Sequence, residues 1–329
     1  MLQLSSISKI LVAGVFSLTL LKAHDMHKHE EYDAEKIADV FYALNGDSKD
    51  PHKKINHTKG FCTTGEFIPA KNITKKINIP LFAEKNIPIQ VRYSLGGGNP
   101  KASDKSKPRG LAVKMEGKND SWEIVAINTE INFAKNPEEF YNFFAMRVPK
   151  NGKVDSENIK KKTQEVESYR NFAKYLDGIG ITGSVANTAY YSIHTFFIKD
   201  TKTNKLMPAR FKIVPVSGVS YLSKDELAKK DDNFLESDFK SKVASKPIEY
   251  KLVFVYANEK DIIDDTTALW SGKHKEIEAG TLKVSKYDGM DCNRDVFMPN
   301  VLPNGMGEPK DPLFEVRNEI YSITFGRRQ

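Results

Sequence analysis

Ile87-Pro-Ile-Gln-Val-Arg92-Tyr93, Gly110-Leu-Ala-Val-Lys114-Met115 and Trp122-Glu-Ile-Val-Ala-Ile-Asn128 are the runs that decide the fold. In each, side chains of different character alternate at period two, which on a pleated strand sorts them onto opposite faces. Similar runs span Phe61–Ile68, Tyr190–Ile198, Ala209–Val214 and Tyr250–Tyr256, and Leu282–Val284 makes a shorter one. Helical spacing interrupts them. Ile37, Val40, Phe41 and Leu44 share one side of Ala34–Leu44; Phe140, Phe143 and Phe144 follow an Asn-Pro start at Asn136; Glu165–Leu176 is a further helix. Seven or eight strands with helices between them predict an α+β fold built on a closed or nearly closed antiparallel barrel. Lys150–Lys162 reads as a charged surface loop, and no linker divides the chain, so residues 35–329 form one domain.

The ends read differently. Met1–Lys9 is short and polar, Ile10–Leu21 is apolar, and Lys22-Ala23 precedes the run His24-Asp-Met-His27-Lys-His29. This is the three-part plan of a secretory signal, residues 1–23, followed by a flexible His-rich stretch over 24–34. The apolar part is too short to span a bilayer. The expected product is exported to the periplasm without a membrane anchor. The His cluster either binds a transition metal or is a solvated tail. The chain has 50 basic and 43 acidic residues, a net charge of +7, and the positive charge is scattered. No aromatic-interleaved basic stripe marks a nucleic-acid partner. Cys62 and Cys292 are the only cysteines, and in an exported protein they either pair or are buried singly as small apolar side chains. Gly96-Gly97-Gly98 lacks a following Lys-Ser/Thr and reads as a turn, with no nucleotide cofactor implied.

Candidate chemistry begins near the C-terminus. Asp311-Pro312 is a helix-start signal, and Leu313, Val316 and Ile320 recur at helical spacing. Arg317 and Tyr321, spaced i, i+4, therefore share a face. An arginine beside a phenol favours the phenolate, an anionic oxygen ligand for iron. Arg92, between apolar neighbours, reads as an inward arginine of the barrel wall in need of an anion. His57 precedes the first strong strand, and Asn128 ends another.

Taken in order, His57-Thr-Lys-Gly, Val-Arg92-Tyr-Ser94, Pro108-Arg109-Gly110-Leu-Ala-Val-Lys114, Ile-Asn128-Thr, Val301-Leu-Pro-Asn-Gly305, Arg317-x3-Tyr321 and Arg327-Arg328 resemble the haem catalase superfamily. The closest resemblance is to its small exported catalase-related peroxidases. The resemblance implies an eight-stranded antiparallel barrel with inserted and C-terminal helices, and haem b as cofactor. It implies His57 as distal acid/base, supported by Ser94, with Asn128 orienting peroxide. Tyr321 would be the axial iron ligand, with Arg317 keeping it ionised and His194 and Asp311 completing a proximal relay. Arg92 and Arg328 match propionate-binding arginines, and Phe133 and Phe140 match distal aromatics. Lys54 stands where large catalases have a propionate-binding arginine, and Asn56 where they have a small apolar residue.

The implied activity is a peroxidase using hydrogen peroxide or organic peroxides with an external electron donor, with weak catalase activity, in oxidative-stress defence. A homo-oligomer is compatible with it. Two other readings use the same barrel: a haem-binding or haem-delivering accessory protein, and a lipid hydroperoxide isomerase. The C-terminal domain and nucleotide site of the large catalases are not expected after Arg328.

Overall fold

The computed structural model describes residues 31–329. The signal segment and the His24–His29 cluster lie outside them. Asp33 starts helix α1 (Ala34–Asn45) by accepting the Lys36 N–H at 2.8 Å. Strands β1 (Gly60–Pro69), β2 (Ile87–Leu95), β3 (Arg109–Glu116) and β4 (Ser121–Ile127) follow as an antiparallel meander. Helices α2 (Pro137–Ala145), α3 (Ser156–Glu165) and α4 (Glu167–Gly178) come next, then β5 (Tyr190–Tyr191), β6 (Phe196–Lys199) and β7 (Leu206–Pro215). After α5 (Lys224–Ala228) and α6 (Phe234–Ser245), β8 (Ile248–Tyr256) and β9 (Lys275–Tyr287) complete the wall. The two-residue β10 (Met306–Gly307) extends β6, and α7 (Leu313–Gly326) ends the fold.

The ring closes. β9 pairs with β1, β8 with β9, β7 with β8, and β5 joins β7 to β4, giving the closed eight-stranded antiparallel barrel. The expected continuous strand Tyr190–Ile198 is two short pieces, β5 and β6, on the same partner β7. The break between them holds Ser192 and His194. β9 is far longer than Leu282–Val284 because a register shift opposite Leu252/Val253 puts buried Ala279 and Gly280 in succession, which hides the alternation. Gly280 is obligatory there: a Cβ would lie 2.4 Å from Ile68 O and 2.5 Å from the Phe67 ring. The polar run expected as a loop at 150–162 contains α3, started by Asp155 accepting the Asn158 N–H at 2.9 Å.

Inside the barrel, side chains fill the volume. Trp122 is fully buried, stacked on Phe254 at 6.0 Å and edge-on to Phe211 at 5.6 Å. Val91 and Tyr93 also face this core, with Leu111, Val113, Ile124 and Ala126 across the ladder. Arg92 therefore points the other way. Its guanidinium stands on the outer wall, in the cross-strand row Cys62–Arg92–Ala112–Val125, which corrects the inward placement expected from alternation alone. The next row along is Gly60–Ser94–Gly110–Ile127. Helices α1, α2 and α7 cover this wall, joined by Ile37, Phe41, Phe140, Leu313, Val316 and Ile320.

Trp122→Ala empties the centre of the barrel, so we expect a loss of about 3–5 kcal/mol, read as a lower urea midpoint with an unchanged m value.

Candidate active site

Between the outer wall of β2–β4 and helix α7 lies a cavity of about 520 Å3. His57 reaches it from the loop before β1, held at φ 50°, a left-handed conformation that a histidine keeps only under several constraints. The constraints are present. Asn56 Oδ1 accepts the His57 N–H at 3.0 Å, and the His57 carbonyl accepts Arg92 Nη2 at 2.7 Å. Thr58 Oγ1 donates to Lys54 O at 2.5 Å. His57 Nδ1 meets Ser94 Oγ at 3.0 Å, and the ring lies on Gly110, where a Cβ would come within 2.9 Å of Nδ1. Burial first, then the charges of Arg92, Arg317 and Lys54, push its imidazole down to about 3. The ring is neutral throughout the working pH range. With Nδ1–H donated to Ser94, Nε2 is left as the proton acceptor.

On the opposite side, α7 presents Arg317, Ile320, Tyr321 and Thr324 to the cavity, and Arg328 joins them from the turn just after it. Behind Arg317 runs a chain of contacts to the barrel: Arg317 Nη1 donates to His194 Nε2 at 2.5 Å, and His194 Nδ1 donates to Asp311 Oδ2 at 2.7 Å. The guanidinium occupying Nε2 fixes the Nδ1–H tautomer. Burial first, and Arg317 with it, hold His194 below the ordinary imidazole range against the pull of Asp311. Burial works against the Asp311 anion, but His194, then Arg317 and the Leu313 N–H, keep its carboxyl below the usual range. Asp311 thus serves both the helix start and the relay.

A third feature is a cluster of cations at one end. Arg92 is 3% exposed and Arg328 6%, and Lys54 lines the same cavity. Arg92 Nε donates to Asn293 Oδ1 at 2.7 Å, and Lys54 Nζ donates to Asp295 O at 2.7 Å. Arg328 Nε donates to Thr324 O at 3.1 Å and Nη1 to Asn293 O at 3.3 Å. Gly60 makes room for the Arg92 guanidinium, since a Cβ there would lie 2.7 Å from Nη2. Among the described residues, no carboxylate lies within 4 Å of any of the three. Burial first, then Arg92 and Arg328, push the Lys54 ammonium down to about 6. The neighbouring Arg327 turns outward instead, to Glu35 and Asp39 on α1.

One expected residue is not brought here. Asn128 does not line the cavity: its Oδ1 accepts the Arg109 N–H at 2.7 Å, and its own N–H donates to Arg109 O at 2.9 Å, closing the end of the β3–β4 ladder. Its neighbour Ile127 holds the wall position beside Ser94 and Gly110. The carboxamides at the cavity are Asn45, Asn56 and Asn132, the last anchored by Nδ2 donating to Ala134 O at 3.2 Å. Phe133 and Phe140 are present, stacked at 5.2 Å, and Phe143, Phe144 and Phe172 extend the aromatic lining. The spacing of Phe143 and Phe144 with Phe140 was the sequence signal for them. Cys62 and Cys292 pair, resolving the alternatives.

This arrangement agrees with the comparisons. The family model described as Catalase matches residues 47–328. A catalase-related peroxidase of Synechococcus elongatus is 31% identical over 284 residues, covering 84% of this chain and 83% of that one. A catalase-related peroxidase of Mycolicibacterium paratuberculosis is 24% identical, covering 83% and 88%. A solved bacterial catalase superposes with a TM-score of 0.76 at 20% identity, covering 84% of this chain and 57% of its own. The chain belongs to the catalase family. It is a peroxide-handling oxidoreductase.

Two measurements test the site. Gly110→Ala forces Ser94 and His57 apart, and we expect peroxide consumption to fall at least about tenfold while circular dichroism is unchanged. His57 and His194 both sit below the ordinary imidazole range, so the unfolded chain takes up protons that the folded chain refuses. Stability is then full above about pH 6.5 and erodes as pH falls towards about 3. His57→Gln should make the decline of Tm over that window shallower.

Proposed function

We propose that the protein is a haem-dependent peroxidase that reduces hydrogen peroxide or organic peroxides at the expense of an external donor, in oxidative-stress defence outside the cytoplasm. One observation carries the cofactor. Arg92, Lys54 and Arg328 are gathered at one end of a largely apolar cavity, where the Asp295 carboxylate acts on Lys54 and Arg328 only from beyond 4 Å and no carboxylate of the described residues pairs with any of the three, while Tyr321 lines the same cavity. Buried cations are costly unless an anion joins them. A planar macrocycle with two carboxylates at one edge fits that demand, since its apolar body meets the aromatic and aliphatic lining. Arginine offers such carboxylates bidentate pairing.

When bound, haem supplies the iron that takes up the oxidising equivalents of the peroxide. The residues do the rest. Tyr321 would hold the iron, and the Asp311–His194–Arg317 relay fixes a permanent cation on the side of α7 that Tyr321 shares. His57 takes a proton at Nε2 from one peroxide oxygen and returns it to the other as the O–O bond breaks. Its low proton affinity keeps that proton in transit. Ser94 holds the ring in the required tautomer. Asn45, Asn56 and Asn132 are the carboxamides available to orient the substrate, with Ile127 supplying an apolar wall beside them. Fewer fixed hydrogen bonds to the second peroxide favour oxidation of a separate donor over rapid dismutation.

The purified holoprotein should show a Soret band and oxidise a phenolic dye with peroxide while evolving little oxygen. Tyr321→Phe should abolish the tyrosinate spectrum, and His57→Ala should lower turnover by about 10²–10⁴-fold with the Soret band retained. Oxygen evolution that outpaces dye oxidation would overturn the peroxidase assignment.

A further inference from the structure

Each of the clamp's basic groups has a partner in one short segment outside the barrel, residues 292–298. Asn293 accepts Arg92 Nε–H through Oδ1 at 2.7 Å, donates through Nδ2 to Gly60 O at 3.2 Å, and offers its carbonyl to Arg328 Nη1 at 3.3 Å. Asp295 O accepts Lys54 at 2.7 Å. The far end of the segment is pinned where Met298 N–H donates to the Glu123 carboxylate. The near end is pinned by the disulfide from Cys292 to Cys62. Cys62 stands in the same cross-strand row as Arg92, so the covalent tie lands beside the guanidinium it serves. Phe297 packs on both sulfurs' residues and also lines the cavity.

Carbonyl dipoles hold two mutually repelling guanidiniums and the Lys54 amine beside them only while the carbonyls themselves are held. We infer that the Cys62–Cys292 disulfide is the positioning element of the haem site: it fixes residues 293–297 against β1, so that the clamp exists before the cofactor arrives and only the oxidised chain retains haem. This inference rests on the haem reading above. The cysteines are 1% and 2% exposed, so a reductant does not reach the bond in the folded chain. The bond forms during folding by exchange with a protein or small-molecule disulfide, which takes two electrons and two protons from the thiols. Haem capture then follows thiol oxidation in the order of assembly.

The test measures haem loss to excess apomyoglobin, a readout independent of turnover. Oxidised wild type is compared with the Cys62→Ser/Cys292→Ser double variant and with Asn293→Ala, each loaded with haem and checked by circular dichroism. We expect haem loss to be at least about tenfold faster in the double variant and several-fold faster in Asn293→Ala. Equal rates in folded double variant and wild type overturn the inference and leave the haem reading standing. If the double variant does not fold, Asn293→Ala decides, and an unchanged rate there is equally fatal. Failure of oxidised wild type to take up haem sinks the haem reading and this inference together.

Discussion

Like charges crowded out of water, held in place by main-chain oxygens, are the constraint on which this molecule depends. Arg92, Lys54 and Arg328 come from a barrel strand, the loop before it and the turn after the last helix, and they would disperse if side-chain freedom decided. Each is instead directed by carbonyls of 57–58, 293–295 or 324. Carbonyls supply partial negative charge without neutralising anything, so the positive potential stays available for an incoming anion. A carboxylate in the same place would have spent it.

The barrel and the helices divide the chemistry between them. The wall of β2–β4 is rigid because its inner face is packed around Trp122, Phe254 and Phe211. Its outer face can therefore carry Arg92, Ser94 and Gly110 at fixed register. The proton-handling group, His57, rests on that wall. The ligand helix faces it from the other side, and Arg317 bridges its functional face back to the barrel through His194. The interruption of the strand between β5 and β6 has its reason here. A regular ladder would project alternate residues only, whereas the break lets His194 meet both Asp311 and Arg317.

Much of this was legible in the sequence. Helical spacing placed Arg317 and Tyr321 on one face, and the barrel followed from period-two runs such as Trp122–Asn128. Alternation also says that Arg92 faces away from Val91 and Tyr93, but it does not say which side is the core. Three covering helices leave the outer wall half-buried and lined by Ala112, Val125 and Ile127, so Arg92 looked inward. Asn128 raises a related question of parity. At a strand end, one residue decides whether an amide faces the cavity or closes the ladder, and Ile127 rather than Asn128 has the cavity parity. The cysteine pairing had no local signal, because 230 residues separate the partners.

The split of the double arginine carries a consequence about timing. Arg327 grips Glu35 and Asp39 on the first helix, while Arg328, one residue later, reaches the cation cluster. The cavity is thus closed by segments near opposite ends of the described chain. The barrel strands can pair progressively as the polypeptide emerges, but the pocket has no second wall until the final turn has been synthesised and docked. The reactive pocket is therefore enclosed only after the barrel wall has formed, once both α1 and the turn after α7 have docked on it.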